Sequence, residues 1–374
     1  MCIYRDCLPL YCVGIVLLIN SCADRNDERW EELKALPYIE VCGEEVHTDK
    51  NFDGRDFYAV DSGRVLMSSL YNTDTLIYVG EIRDDSLFSQ KGFLHKGRGP
   101  NEVLWFDFSY NPVAKEYMIM ESNTSFPQFF LSIPSCDKMS IYDQEEWIHY
   151  PIEHRSDWSI GRFVQLSETK VLLACRKYGE EYIFAIMDIS TQEITPVDFW
   201  PVDDFHGGNI SKSFVYTSNA GLFVNYENHK VLYVCRWGKY AVLFDYRSGS
   251  LVKDTVMFDI CPQYRQVSKA GDYRFKDSNK NGFKVRTDDK YIYFLSFDYK
   301  VENGDMVSPI EDYPFYYNDH LYVYNWNGEY IGKYKFDIPF YDFIVDAKTG
   351  WIYTCTNDLK TDDTEIYRYI LPGL

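Results

Sequence analysis

An all-β fold is what this sequence predicts, and within that class a β-propeller of four-stranded antiparallel sheets. Three observations predict it. Short apolar runs rich in Val, Ile, Tyr and Phe recur along the chain, nearly all of them separated by turn residues. Aromatic residues make up 18% of the chain, with 33 Tyr and 25 Phe, and such side chains fit a pleated, half-buried surface. Almost no stretch carries the 3.6-residue apolar period of an amphipathic helix.

The elements are justified in order from the N-terminus. Before Cys22 runs "LPLYCVGIVLLINS", an apolar stretch of signal-peptide length and too short to span a bilayer as a helix. The junction Leu18-Ile19-Asn20-Ser21-Cys22 resembles a bacterial lipobox, which implies that residues 1–21 are a lipoprotein signal peptide and that Cys22 is acylated. A single Arg5 beside Asp6 departs from the positive charge usual in such leaders, and the alternatives are cleavage without acylation or an uncleaved anchor. Residues 22–37 are polar and rich in acids and read as a tether between lipid and domain. Within them "DERWEELKALP" predicts a short helix that stops before Pro37. An acidic stretch just past the cysteine resembles a surface-export signal of Bacteroidetes lipoproteins, so the expected address is the outer membrane, on its cell-surface or periplasmic face.

Residues 38–374 are expected to form one propeller domain. Strand-like runs include "RVLMSSLY", "DTLIYVGEI", "EYMIMES", "KVLLACRK", "YIFAIMDIS", "GLFVNYEN", "KVLYVCRW", "YAVLFDYRSG", "KYIYFLSFDY", "HLYVYNWNGEYIGKYKF", "WIYTCTN" and "EIYRYILP". Several segments repeat one order of events: a strand ending in an acid or amide, a glycine turn, then a second strand. This order is seen in "FIVDAKTGWIYTCTN", in "VLFDYRSGSLVKDTVMF" and at Asn327-Gly328, a strong hairpin signal. Such degenerate copies fit blades that bury both faces only by stacking on their neighbours. At about 40 to 55 residues a blade, the length allows six to eight.

Ten cysteines reduce to six once the leader and Cys22 are set aside: Cys42, Cys136, Cys175, Cys235, Cys261 and Cys355. None forms a C-x-x-C pair, so no zinc-ribbon or thioredoxin spacing exists. Buried free thiols are the expected state, with a disulfide as the alternative for an exported chain. The net charge of −19 argues against a nucleic-acid partner, whose affinity comes from Lys and Arg displacing counterions.

The stretch "LHKGRGPNEV", Leu94 to Val103, has the glycines and lysine of a phosphate loop but not their order. Lys96 precedes Gly97, Pro100 lacks a backbone donor, and no helix follows, so it turns the chain without holding a nucleotide. Gly97, Gly99, Pro100 and Glu102 match the "G-x-G-P-G-E" signature of the six-bladed β-propeller lipoproteins of Bacteroidetes, a TolB-like or NHL-like group, with Asn101 where the family has glycine. Asn tolerates positive φ best among residues with a side chain, so the turn survives the change. The resemblance implies six blades of four-stranded antiparallel sheets and an envelope location, and it implies little about activity.

Two constellations are candidate binding residues. Asp277, Asn279, Asn281 and Asp288, with Gly282, occupy positions of an EF-hand-like loop, a candidate calcium site and the only cofactor expected; the other reading is a polar hairpin turning at Asn281-Gly282. Trp158, Trp200 and Trp237 offer rings for stacking on sugars, or belong to the blade core. The histidines show no H-E-x-x-H pattern and no G-x-S-x-G elbow is present, so no catalytic residue is assigned. The function expected is a non-catalytic binding or scaffold module for a glycan, peptide or envelope protein, joined to the membrane through Cys22. The alternative is a propeller-type hydrolase or lyase acting on an envelope or dietary polymer, its active site assembled from separate blades.

Overall fold

The computed structural model describes residues 29–374, apart from 49–53, 62, 70–73, 122–127, 137, 153–157, 178–179, 181, 204–208, 219, 269–272, 276–281, 299, 303–304, 309 and 362. The leader and Cys22 lie outside the described residues. Six four-stranded antiparallel blades follow one another around the ring: the second, third and fourth are separate sheets, the fifth gains Ile39–Val41 as a parallel edge strand, and the first and sixth are joined through Glu44–Thr48. The first strands of the blades are Gly54–Asp61, Phe106–Asn111, Trp158–Gln165, Ala220–Asn225, Gly282–Thr287 and Asp342–Val345.

The second and third strands of each blade are nearly continuous apolar runs because they are buried on both sides. Lys170–Lys177 and Lys230–Cys235 are fully buried over their central residues. Core clusters form between successive blades: Phe184, Phe199 and Phe244 pack between the third and fourth, Phe258, Phe283, Phe294 and Tyr324 between the fourth and fifth. A blade therefore has no core of its own, the condition expected of stacked repeats.

The ring closes by mixing the two termini. Glu44–Thr48 pairs antiparallel with Thr364–Ile370 and supplies the outermost strand of the sixth blade, and it also pairs in parallel with Ser86–Lys96 of the first. Arg368 fixes the seam with a salt bridge to Glu44 at 2.8 Å, lying over the Trp351 ring.

The short helix expected in the acidic tether forms at residues 29–35. It is docked, not a free spacer. Trp30 is buried against Phe258, Phe283 and Tyr322 at the seam of blades four and five, with the Lys239 ammonium 4.6 Å from its ring centre. A second helix, Asn209–Ser218, was not legible in the sequence, because Lys212, Ser213 and Thr217 are buried beside Val215 and Tyr216 and blur the apolar period. Cys42, Cys136, Cys175, Cys235, Cys261 and Cys355 are all free thiols, four of them buried.

Candidate functional site

A four-stranded meander puts the turns after its first and third strands at one end of the propeller and the remaining connections at the other. The first end is built mainly of tight turns. The second carries the long connections: 97–105 with the glycine motif, 197–219 with the second helix, 261–281 with the Tyr264–Gln266 and Tyr273–Phe275 hairpin, and 298–317 with the Lys300–Glu302 and Asp305–Val307 hairpin.

The glycine motif turns the chain between the first and second blades. Asn101 adopts φ +64°, the Glu102 carboxylate accepts the Gly99 amide at 2.7 Å, and a Cβ on Gly97 would sit 1.9 Å from that carboxylate. The Asn101 side chain crosses to the second blade, donating to the Gln144 carbonyl and meeting His149 Nε2 at 2.5 Å. The motif is a clasp between the first two blades.

Of the candidate calcium loop, Asp288 is the one proposed ligand among the described residues. Gly282–Thr287 is extended, which carries Asp288 about 20 Å along the blade from Gly282 at roughly 3.3 Å per residue. The Asp288 carboxylate accepts the Lys290 and Tyr291 amides and the Tyr293 hydroxyl. Asp277, Asn279 and Asn281 lie outside the described residues. Among the described residues no group of three or more His, Cys, Asp or Glu is placed to hold a metal.

The three tryptophans do not form one site. Trp158 packs against Tyr182 at the edge of the core between blades two and three, while Trp200 and Trp237 border the core between blades three and four, Trp200 beneath the Lys212 ammonium. All three are half-buried and act chiefly as packing.

What the fold does converge is the first strand of every blade. These six strands line a cavity of about 1180 Å³ along the propeller axis. Two of them carry bulges where they line it, at Tyr58 and at Gly161, and a bulge re-aims side chains and interrupts the strand edge.

The polar chemistry of the wall follows one pattern. Buried carboxylates sit behind cations that face the cavity. Asp342 is fully buried and accepts the Phe57 amide of the first blade at 2.9 Å, Lys284 Nζ at 2.9 Å and an Arg286 guanidinium nitrogen at 3.0 Å. Burial alone would raise its carboxyl, but Lys284 and Arg286 together with these hydrogen bonds hold it below the usual carboxylate range. Asp107 likewise accepts the Phe163 amide at 3.0 Å and Arg162 at 2.5 Å, and its charge raises the Arg162 guanidinium further above its ordinary value. Asp107 and Asp342 occupy matching places in "FDF" (106–108) and "YDF" (341–343), a repeated triplet that is the one sequence signal pointing to this wall.

Arg286 is spent on structure, donating to the Phe343 and Phe57 carbonyls as well as to Asp342. Arg162 keeps 45% of its side chain exposed and Lys284 24%, and Arg236 joins them from the connection between the second and third strands of blade four. Tyr58, Phe106, Tyr316 and Tyr341 complete the same end of the cavity. Tyr58 lies 5.4 Å from Phe106, and burial, then the charges of Asp56 and Asp342, push its phenol up to about 12. None of these lining residues was singled out from sequence, since each is an isolated charge or ring among many.

The comparisons with known proteins agree with this architecture. A solved Bacteroides fragilis protein described as exported is similar over 89% of this chain and 95% of its own, with 11% identity and a TM-score of 0.51. A Bacteroides vulgatus member of the duf4221 family is similar over 89% of this chain and 97% of its own, with 13% identity and a TM-score of 0.48. At 11% identity the likeness to the Bacteroides fragilis protein is one of fold alone. No curated protein matches the chain by sequence. The family described as TolB-like 6-blade propeller-like matches residues 84–348, well over half of the chain, and the chain belongs to that family.

Proposed function

We propose that this chain is a non-catalytic binding module of the bacterial cell envelope, tethered by a lipid on Cys22, which takes a glycan or peptide segment into its axial cavity from the end bearing the long connections. The observation that carries this reading is the cavity wall. Its exposed Arg162 and half-buried Lys284 each pair with a buried carboxylate, Asp107 at 2.5 Å and Asp342 at 2.9 Å, an arrangement that fixes the cations in place to hold a ligand. The mouth stands among loops on a rigid ring, where binding residues are commonly placed. A segment of a free polymer and a segment of an outer-membrane protein are both served by the same cavity.

For the address, the support is the lipobox-like junction at Cys22 and the acids that follow it. Among the described residues no helix is long and apolar enough to cross a membrane. Labelled fatty acid entering the native protein but not a Cys22→Ala variant, with protease shaving of intact cells, tests anchor and face together.

The binding role is tested by immobilising the mature chain and passing neutral and acidic oligosaccharides and peptides over it. Retention followed by release of material unchanged in mass is expected. Shortened or unsaturated products would replace this reading with the hydrolase or lyase alternative, and failure to retain any of them would overturn the axial site.

A further inference from the structure

The mouth of the axial cavity is chemically two-sided. Arg162, Arg236 and Lys284 come from blades three, four and five in succession. Tyr341, Tyr58 and Phe106 come from blades six, one and two, and the exposed Tyr316 lies beside Tyr341 with ring centres 6.3 Å apart. One arc of the ring is therefore cationic and the other aromatic.

We infer that the ligand is an acidic oligosaccharide, its carboxylates held by Arg162, Arg236 and Lys284 while its sugar faces lie against Tyr58, Phe106, Tyr316 and Tyr341. The inference rests on the cavity being a binding site and names what enters it. The donors to do this are in place. Lys284 Nζ gives one hydrogen to Asp342 and one to the Tyr341 carbonyl at 3.2 Å, and an ammonium has a third. Among the described residues Arg162 bonds only through one terminal nitrogen, to Asp107, leaving the rest of its guanidinium fork turned to the cavity. The fixed carboxylates behind these cations prevent them from repelling one another and orient them before a ligand arrives, which lowers the cost of binding.

The size and the strand edges select a sugar chain over the other anions. A cavity of about 1180 Å³ exceeds the roughly 300–1,000 Å³ of small-molecule sites, so an oligomer fits it better than a single metabolite. A peptide would most readily add as a strand to an inner edge, but these edges are short and bulges at Tyr58 and Gly161 interrupt two of them. Flat rings opposite cations suit alternating sugar faces and carboxylates. The lining as a whole carries five aspartates, Asp56, Asp107, Asp288, Asp289 and Asp342, against four cations, Arg162, Arg236, Lys284 and Arg286, so the cationic character is confined to the arc of the mouth along blades three to five.

The test is calorimetric titration of the mature chain with a uronic-acid oligosaccharide from alginate, with its carboxyl-reduced neutral counterpart, and with an oligoglutamate of equal charge. The uronate is expected to bind about tenfold or more tighter than the reduced sugar, the scale of a charge-assisted hydrogen bond, with the gap narrowing as salt is added. Arg162→Gln should remove most of that preference. Because this change also strips Asp107 of its partner, Tyr316→Ala, at an exposed side chain, provides the check: it should weaken uronate binding severalfold with an unchanged melting temperature. Equal affinity for the reduced sugar would overturn the carboxylate assignment while leaving the binding role intact. Equal or tighter binding of oligoglutamate would overturn the sugar class. No binding by any of the three, alongside retention of other ligands, would overturn the inference alone; no retention of anything removes the binding role with it.

Discussion

At one end of the propeller, Asn111, Asn225, Asp288 and Asp346 each close the turn after the first strand of a blade by accepting backbone amides two to three residues on. Asp188, Asp245 and Asn325 do the same after the third strand of theirs. At the other end, polar groups find partners far away in sequence. Glu121 accepts the Leu104 and Trp105 amides, Asp203 joins Lys212, Tyr216 and Tyr264, and Lys239 meets Asp298 at 2.7 Å. The first end has a few long-range links of its own: 135–147, whose short helical turns press Trp147 onto Phe93 of the neighbouring blade, Asp61 with Lys348 and Tyr110, and Asn225 with the Asp289 carbonyl. The difference teaches a division of labour. Turns satisfied by their own residues make a rigid rim, while connections that rely on the whole fold can vary in length and carry chemistry without disturbing the blades.

The largest effect should come from the seam that underlies the long-connection end. Asp342→Asn leaves Lys284 and Arg286 without their buried counter-charge, a loss of about 3–5 kcal/mol in denaturant unfolding at neutral pH. The native protein should show the same dependence through pH. The Asp342 carboxyl is held lower in the folded state than in the unfolded chain, so its contribution is complete above the unfolded value of about 3.9 and is lost as pH falls through the lower folded value. A variant whose unfolding midpoint loses its acid dependence along with this stability fits the assignment, and one as stable as the native chain would not.

A local turn should matter less and should leave binding alone. Asn325→Ala removes an acceptor of the Asn327 and Glu329 amides, a cost of about 1–2 kcal/mol at roughly 1 kcal/mol for each hydrogen bond, with ligand affinity unchanged. If affinity falls with it, the two ends are coupled and the division fails. At the clasp, Asn101→Ala should be about 1 kcal/mol less stable than Asn101→Gly, since both lose the bonds to blade two but only alanine resists positive φ. Equal stabilities would mean that the side-chain bonds, and not the backbone, hold the turn. Smallest of all, Tyr316→Ala should change stability by less than about 0.5 kcal/mol, and its effect should be read in binding.

The strands that were legible in advance are mostly the second and third of each blade. "KVLLACRK", "KVLYVCRW" and "WIYTCTN" are buried on both faces and carry unbroken apolar runs. The first strands escaped more often, because Phe106–Asn111 and Gly282–Thr287 alternate core residues with Asp107, Ser109, Lys284 and Arg286, which meet the cavity or a neighbouring blade. The outer strands escaped too. Ile148–Pro151 and Ile194–Pro196 are short and largely exposed at a sheet edge. Of the candidate site residues, the turn at Gly97 to Glu102 has a geometry set by near neighbours along the chain, whereas spacing in sequence says nothing about whether the chain from Gly282 to Asp288 curls or extends.

Sequence alone determined the class of fold, the repeat of turn and strand, and the positive φ tolerated by Asn101, all consequences of side chains acting on their nearest neighbours along the chain. Only the tertiary structure decided that Trp30 docks the tether helix onto blades four and five, that Glu44–Thr48 closes the sixth blade, and that Arg162, Arg236 and Lys284 face Tyr58, Phe106 and Tyr341 across one cavity. The physical reason is that six blades each lend that cavity one strand. Its charges and rings are brought together by the closure of the ring, from positions separated by whole blades of sequence.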